Sequence, residues 1–432
     1  MPDVSRDLAA QDFPSAGEKA FVWVALFLST GACQNLWLNT HVAPTQNANV
    51  GSASITLLIY LVTLVLLALH CKGWMGLFLR EWPLVTISGL AIISAIWSEA
   101  PAVSIRYGTG LLFTFLFGVY FAVRYSLKEQ ISLLASVLGI CIVCSFIFGL
   151  FGLGTSVDVN GSVAGWYGAF TQKNSLGAMM VLSTLVFLLW RRIDPDHSGI
   201  ASMGVLGSLI LVLLSQSVTS IVTVALLLAL FPYLRWMARA GGRRFVAGVV
   251  CLASAVLFSL AYLVTHVPTV TALMGKSMTL TGRLQLWVFS ILMALRRPWL
   301  GYGLGAFWMN DEGAVRIQRA LGWPVPHSHN GFLEIWLGLG VCGLVVFLCG
   351  FTLYVWRSLR FLLRNPFPEA AWPFLFFMVL FLTNLAQVTF LARNTIFMVM
   401  YSTVAVSIAP ASSVGHKWRA VAMPNQEPAL QS

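Results

Sequence analysis

The chain has 432 residues, of which 58% are hydrophobic and only 9% are charged, and its mean hydropathy is +0.82. A soluble globular domain carries about 25% charged residues, so this composition excludes an ordinary soluble protein. The net charge of +11 is explained by basic residues at the ends of apolar runs, a pattern typical of membrane orientation rather than of nucleic-acid binding.

Twelve apolar runs are each long enough to cross about 30 Å of hydrocarbon. We therefore predict an all-α polytopic membrane protein: a single membrane domain over residues 1–432, with cytoplasmic tails at 1–19 and 410–432. The first run lacks a small-residue cleavage site, so we expect it to remain as a span. The predicted spans centre on residues 20–38, 51–69, 82–98, 107–123, 131–152, 174–190, 199–215, 218–234, 245–264, 330–354, 372–390 and 394–409.

The basic residues predict the sidedness of these spans. With the N terminus inside, 17 of the 26 basic residues fall on the cytoplasmic side, which predicts cytoplasmic termini and an exported loop over residues 265–328. The nine basic residues left outside are Arg106, Lys173, Lys276, Arg283, Arg296, Arg297, Arg316, Arg319 and Arg393. As a set they indicate an anion site at the outer membrane face, whereas any one of them could also contact lipid headgroups.

The exported loop contains an amphipathic segment over residues 281–298. Thr281 is a candidate N-cap and Pro298 a candidate end, which predicts a helix that lies in the membrane interface. Its start places Arg283 near a helix N terminus, where a phosphate group is favoured. The apolar stripe of this predicted helix consists of Leu284, Trp287, Val288, Ile291 and Leu295.

Two histidines, His327 and His329, precede the tenth predicted span. An unperturbed imidazole has a pKa of about 6.5, so these are the side chains best able to accept a proton near neutral pH. They could instead be solvated loop residues, with Asn330 capping the helix that follows. Glu334 lies about 7.5 Å further along that helix, where it could position an acceptor or another side chain, or pair with an arginine.

Metal-binding patterns are weak in this sequence. Asp194 and Asp196 have the D-x-D spacing of some metal-dependent enzymes, but they fall on a predicted cytoplasmic loop opposite the histidines. No other pair of acids, and no H-E-x-x-H pattern, suggests a metal site. We therefore predict no metal and no other cofactor.

The histidine segment carries a resemblance to a known family. His329 and Asn330 are separated by nine residues from a G-x-x-G pattern at Gly340 and Gly343. This arrangement resembles the hallmark of the bacterial O-antigen ligase and polysaccharide polymerase superfamily of integral membrane glycosyltransferases. The stretches WSEAPAVSIR, YGAFTQKNSLG and LTGRLQLW, the last followed by RPWLGYGLGAFW, resemble its exopolysaccharide polymerase branch, so that the similarity runs from about residue 97 to 345.

The resemblance implies a reaction. Members take a glycan from an undecaprenyl diphosphate carrier at the outer face of the bacterial inner membrane. Polymerase members pass it to another carrier-linked unit, and ligase members pass it to the lipid A core; we favour polymerisation of exopolysaccharide or O-antigen repeat units. The implied partners are these lipid-linked donors and acceptors, with a flippase and a chain-length regulator as further candidates.

The resemblance also implies roles for residues, with inversion at the anomeric carbon and without a metal. His329 would orient or deprotonate the acceptor hydroxyl, and Arg283 would stabilise the departing diphosphate. Weaker candidates for binding the diphosphate are Arg106, Lys173 and Arg393. Supporting or acceptor-binding roles fall to Asn330, His327, Glu334 and Asn174.

The rival interpretation is a transporter or flippase, which would also explain many spans and basic outer cavities. Transporters usually place ionisable groups near the membrane midplane, in broken helices of repeated halves. This chain keeps its charges at the ends of the predicted spans and shows no internal repeat. The sequence therefore favours glycosyl transfer.

Overall fold

The structure of the protein is a computed structural model that describes residues 14–34, 50–71, 73–157, 163–240, 248, 279–309, 313–322 and 325–409. Nearly all of the ninth predicted span, the first part of the predicted exported loop, most of the N-terminal tail and the C-terminal tail lie outside these residues. The predictions made for those segments therefore stay predictions.

Helices dominate the described chain and strands are almost absent from it, which confirms the all-α fold class. We number them α1 (Ala16–Thr30), α2 (Val50–His70), α3 (Trp74–Arg80), α4 (Trp82–Ile93), α5 (Pro101–Arg124), α6 (Leu127–Leu150), α7 (Lys173–Ile193), α8 (Ser198–Leu214), α9 (Val218–Ala240), α10 (Thr279–Ala294), α11 (Gly313–Leu321), α12 (Gly331–Arg364), α13 (Trp372–Asn384) and α14 (Ile396–Ser407). Two short strands, β1 (Thr155–Val157) and β2 (Val163–Trp166), pair antiparallel between α6 and α7.

The predicted number of membrane crossings is not confirmed by the described helices. Within the described residues, six helices are long and apolar enough to cross a membrane, or seven if α3 and α4, which meet at an 84° bend, form one span. The predicted runs at 372–390 and 394–409 became α13 and α14, with 13 and 12 helical residues. A helix needs about 20 residues to cross, so the count of twelve is not confirmed.

An aromatic core joins the last three helices. Phe351 of α12, Phe377 of α13 and Tyr401 of α14 pack ring against ring, with centroids 5.7 to 6.5 Å apart. Phe390, in the loop between α13 and α14, packs on Phe351 at 5.6 Å. This packing fixes the loop over residues 385–395 against the middle of α12.

Helix α12 is broken at Gly340, the first glycine of the G-x-x-G pattern. Its φ of 67° and ψ of −171° are not helical, and such a conformation strongly favours glycine. The segment before Tyr302 docks into the break: the Tyr302 amide donates to the Leu337 carbonyl at 2.8 Å, and the Val341 amide donates to the Pro298 carbonyl at 2.7 Å. Backbone groups that a helix would pair internally are thereby satisfied inside the protein, as non-helical backbone at membrane depth requires.

The amphipathic segment forms a helix with different limits from those predicted. Helix α10 includes Thr279, so Thr281 lies within it and is not its N-cap, and the helix ends at Ala294, before Pro298. Part of the predicted stripe, Val288 and Leu295, is more than half exposed. The buried face consists instead of Leu286, Ser290, Met293 and Ala294. An exposed apolar stripe is what an interfacial helix presents to lipid, and that location stays a prediction.

Candidate active site

Asn330 is the N-cap of α12. Its Oδ1 accepts hydrogen bonds from the amides of Phe332 at 3.0 Å and Leu333 at 3.1 Å, which satisfies two of the unpaired donors of the first turn. Its Nδ2 donates to the carbonyl of Leu385 at 3.4 Å. The capping interpretation of Asn330 is confirmed, and the cap also ties the start of α12 to the 385–395 loop.

The two histidines form one rigid pair ahead of the helix. Their rings meet edge to face with centroids 4.1 Å apart, and the His329 amide donates to Nδ1 of His327 at 3.3 Å. His329 has a φ of 53°, in the left-handed region that few residues other than glycine adopt. Helix α12 begins at Gly331, so both histidines lie in the loop before it, where each ring packs against the other.

Ser328, between the histidines, fixes this strained loop. Its amide and its hydroxyl donate to Oε2 of Glu334 at 3.0 and 2.8 Å, and its carbonyl accepts from Nε1 of Trp287 at 3.1 Å. The sequence left open whether Glu334 positions a side chain or pairs with an arginine. In the described structure its partner is Ser328, so Glu334 positions the histidine loop.

Arg283 of α10 lies beside the histidine pair. Burial, followed by the positive charge of Arg283, lowers the pKa of His327 to about 4. Burial, followed by His327 and Arg283, lowers the pKa of His329 to about 3. The sequence-based expectation of titration near 6.5 was therefore wrong for this state. Both rings are neutral at pH 7 and can accept a proton.

No carboxylate compensates Arg283 within the part of the chain that the structure describes. The pKa of Arg283 is lowered by burial alone, without the opposing effect of a neighbouring acid. An arginine stays charged under these conditions. A half-buried guanidinium without a counter-charge favours the binding of an anion.

The other predicted anion-binding residues are placed differently. Arg106 is exposed on α5, and Lys173 and Asn174 are half-buried at the start of α7. Arg393 lies in the 385–395 loop, with its guanidinium 4.6 Å from the centre of the Tyr107 ring. Of the four basic candidates, Arg283 is the one whose charge acts on the histidines.

Another outward basic residue has a structural role. Arg297 pairs with Glu99 at 2.7 Å and lies over the Tyr302 ring at 4.8 Å. Nε1 of Trp97 donates to the carbonyl of Leu300 at 2.9 Å. These contacts hold the segment that docks into the break of α12 against the start of α5, so Arg297 leaves the set of free anion-binding candidates.

Sequence reasoning missed two parts of the site, Ser328 and Trp287. Ser328 was passed over as the residue between two histidines, and Trp287 was assigned to an apolar stripe. A serine between two candidate bases, six residues before a glutamate at the start of a helix, was the available signal. The Trp287 contact joins α10 to the loop before α12, 41 residues further along the chain, so no local sequence pattern indicates it.

The structure adds one observation on metals. Within the described residues, no group of three His, Cys, Asp or Glu side chains is arranged to hold a metal ion. Asp194, of the D-x-D pair, forms a hydrogen bond with His197 at 2.8 Å, which lowers the pKa of the Asp194 carboxyl. Metal independence stays a prediction.

The helical bundle and its polar site define an integral membrane protein with a histidine, arginine and glutamate cluster at one end of a broken helix. Residues 203–348 match the family model described as O-antigen ligase. This match contains Arg283, both histidines, Asn330 and Glu334. Arg106, Lys173, Asn174 and Arg393 lie outside it.

Two relatives extend the comparison. The chain is 26% identical over 270 residues to the exopolysaccharide production protein ExoQ of Rhizobium meliloti, covering 59% of this chain and 60% of that protein. It is 37% identical over 71 residues to a candidate polysaccharide ligase of Rickettsia conorii, covering 16% of this chain and 17% of that protein. The chain thus spans less than two thirds of either relative. The resemblance to the O-antigen ligase and polysaccharide polymerase superfamily is confirmed.

Proposed function

We propose that the protein transfers a glycan from an undecaprenyl diphosphate carrier to a sugar hydroxyl of another carrier-linked glycan. The product is a lengthened exopolysaccharide or O-antigen chain at the outer face of the bacterial inner membrane. The observation that carries this proposal is the placement of Arg283, without a carboxylate partner in the described residues, beside two neutral histidines. The name of the Rhizobium relative supports an exopolysaccharide product.

Arg283 binds the diphosphate in this proposal. Its planar guanidinium can donate to two phosphate oxygens at once. As the bond between the anomeric carbon and the diphosphate breaks, negative charge grows on the departing phosphate oxygen. A preorganised cation at that point stabilises the transition state more than the ground state.

His329 acts as the base. It takes the proton of the acceptor hydroxyl while that oxygen attacks the anomeric carbon, and undecaprenyl diphosphate departs from the opposite face with inversion. Burial and the neighbouring His327 lower the pKa of His329 most, and the positive charge of Arg283 lowers it further. A diphosphate bound to Arg283 offsets that last contribution, so donor binding raises the pKa of His329 and makes it a stronger base. This chemistry calls for no metal.

A second candidate function is ligation of a finished glycan to the lipid A core. The description of the matching family and the name of the Rickettsia relative favour it. Both reactions use the same donor and the same base, and they differ in the acceptor. The choice between them therefore depends on the product rather than on His329 or Arg283.

The direct experiment is reconstitution. Purified protein in lipid nanodiscs would receive an undecaprenyl-diphosphate-linked repeat unit, with or without lipid A core and with or without a chelator. We expect a ladder of carrier-linked polymer that needs no lipid A core and persists in chelator. Product only on lipid A would establish ligation, and loss of product in chelator would contradict the metal-free mechanism. Translocation of the donor without any new glycosidic bond would support a flippase instead.

The proposed sidedness has its own test. Arg319 is an exposed residue of α11 and falls in the loop predicted to be exported. A single cysteine at this position, in a background without the native cysteines, should react with an impermeant thiol reagent on intact spheroplasts. Labelling only after lysis would place the site on the cytoplasmic face.

A further inference from the structure

Arg393 occupies a built polar site of its own, separate from the contacts of Arg283. A methyl group added at Gly110 of α5 would lie 2.7 Å from Cδ of Arg393 and 3.2 Å from the hydroxyl of Tyr60. Both side chains therefore converge over Gly110, where a larger residue would displace them. The Tyr107 ring stacks on the guanidinium at 4.6 Å.

The backbone beside Arg393 is held in an unusual shape. Leu391 and Asn394 have φ values of 52° and 59°, in the left-handed region that is unfavourable for residues with a side chain. Asn394 is fixed by Tyr60, whose hydroxyl donates to Oδ1 at 2.6 Å, and by its own amide, which donates to Thr114 Oγ1 at 2.9 Å. Strain maintained by dedicated hydrogen bonds is a feature of functional sites.

The charge of Arg393 is uncompensated in the described residues. It is half-buried, and no described carboxylate forms an ion pair with it. Gly110, which Arg393 contacts, lies nine residues after Pro101 in α5, a helix long and apolar enough to cross a membrane. An ionisable side chain packed against such a helix without a carboxylate partner is a candidate functional residue.

We infer that Arg393, with Tyr107 and Tyr60, binds the diphosphate of a second carrier-linked glycan, the acceptor. This inference rests on the proposed function, because a polymerase must hold two lipid-linked chains at once. The 385–395 loop touches the histidine cap at Leu385 and carries Arg393 near its other end. In this inference Arg283 and Arg393, neither of which has a carboxylate partner among the described residues, bind one carrier each.

The test is the number of carriers bound. Native mass spectrometry of the detergent-solubilised full chain, titrated with undecaprenyl diphosphate, should show two bound molecules for the wild type. The variants Arg393→Gln and Arg283→Gln should each bind one molecule, and their affinity for a second molecule should be at least tenfold weaker than that of the wild type. The double variant should bind none. Arg319→Gln, which removes an exposed arginine, is the matched control and should still bind two.

Milder variants guard against misfolding. Tyr107→Leu removes the ring under the guanidinium and should weaken the second event by about 3- to 10-fold, and Tyr60→Phe, which keeps the ring but loses the hydroxyl, should also weaken it. Two molecules bound equally well by Arg393→Gln, Tyr107→Leu and Tyr60→Phe would overturn the inference.

Three further outcomes separate the source of the phosphate and the failure of the inference from the failure of the proposed function. Phosphatidylglycerol or lipid A could compete for the Arg393-dependent site. If either lipid displaced the bound molecule as effectively as undecaprenyl diphosphate does, the site would bind a lipid headgroup or a ligation acceptor, and the inference would be overturned. A single carrier that depends on Arg283 would refute the inference but leave the proposed function standing. Carrier binding that is indifferent to Arg283 would refute the proposed function itself.

Discussion

The two ends of the helical bundle differ in whether their buried basic side chains have carboxylate partners. At the end where α5 and α12 finish, Arg124 pairs with Glu18 at 3.0 Å and Arg357 pairs with Glu81 at 2.6 Å. Both glutamates are almost fully buried. A buried charge without a partner is strongly destabilising, so these pairs allow charged groups to remain in the packed bundle.

The end that carries the histidine motif lacks this compensation. Within the described residues, Arg283 and Arg393 face no carboxylate, although both are half-buried. Arg297, paired with Glu99 at 2.7 Å, is the exception there, and it braces the break of α12. The fold thus pairs buried arginines with carboxylates at one end but leaves Arg283 and Arg393 without such partners among the described residues. A site for an anionic substrate requires such uncompensated positive charge.

The largest expected effect is the loss of the base at the histidine end. His329→Ala should lower the rate of polymer formation by about 10²- to 10⁴-fold, measured at matched membrane abundance. His327→Ala should be less severe, because His327 positions the ring of His329 and does not take the proton. Near-normal polymer formation by His329→Ala would show that this motif only caps α12 and that His329 is not the base.

The next effect concerns the uncompensated charge itself. Arg283→Lys keeps a positive charge but loses the fork that contacts two phosphate oxygens, so we expect a fall in kcat of about 100-fold. Arg319→Lys, the same change at an exposed site, is the control and should retain wild-type kcat. If the two variants were equally active, Arg283 would have only a topological role.

A third prediction addresses the paired end. Arg357→Gln leaves the Glu81 carboxylate without its partner and should lower the free energy of unfolding by about 3–5 kcal/mol, measured in detergent. Activity per folded molecule should not change. The double variant Glu81→Gln with Arg357→Gln should recover part of the stability. If Arg357→Gln reduced kcat without changing the free energy of unfolding, the Glu81–Arg357 pair would have a role in the reaction rather than in stability.

The smallest effect is in the pH profile. The pKa of His329 is about 3 in the free protein, so kcat/KM should be flat from pH 6 to 8 and decline only in stronger acid. The acid limb of kcat should lie at higher pH, because bound diphosphate offsets Arg283 and raises the pKa of His329. In the Arg283→Gln variant the acid limb of kcat/KM should also lie at higher pH, because the positive charge of Arg283 is absent. Identical limbs for kcat and kcat/KM in the wild type would argue against this coupling.

Much of the fold was predictable because apolar runs are a local property. The runs that became α2, α5, α6 and α7 were located to within a few residues. The lengths of α13 and α14 were not predictable from hydropathy, since the 385–395 loop that separates them is itself largely apolar. The break at Gly340 depends on a segment some 40 residues earlier that supplies its hydrogen bonds, and hydropathy does not record such docking.

The candidate site was predictable in its residues but not in its electrostatics. The spacing from Asn330 to Gly340 and the T-G-R context directed attention to His329 and Arg283, and the structure places these two side by side. The low pKa values of the histidines arise from burial and from Arg283. Burial depends on the tertiary structure, so the sequence alone could give only the pKa of an isolated imidazole.

The break at Gly340 also bears on how the protein enters the membrane. The piece of α12 before the break, residues 331–339, is about 13 Å long and cannot cross a bilayer unaided. Its free carbonyls at Leu337 and Gly338 find donors only when Tyr302 and Gly303 dock. A nascent chain that reached lipid before this docking would expose unpaired peptide groups to hydrocarbon. Docking of Tyr302 and Gly303 is therefore a condition for stable insertion of this part of α12, and with it of the histidine end.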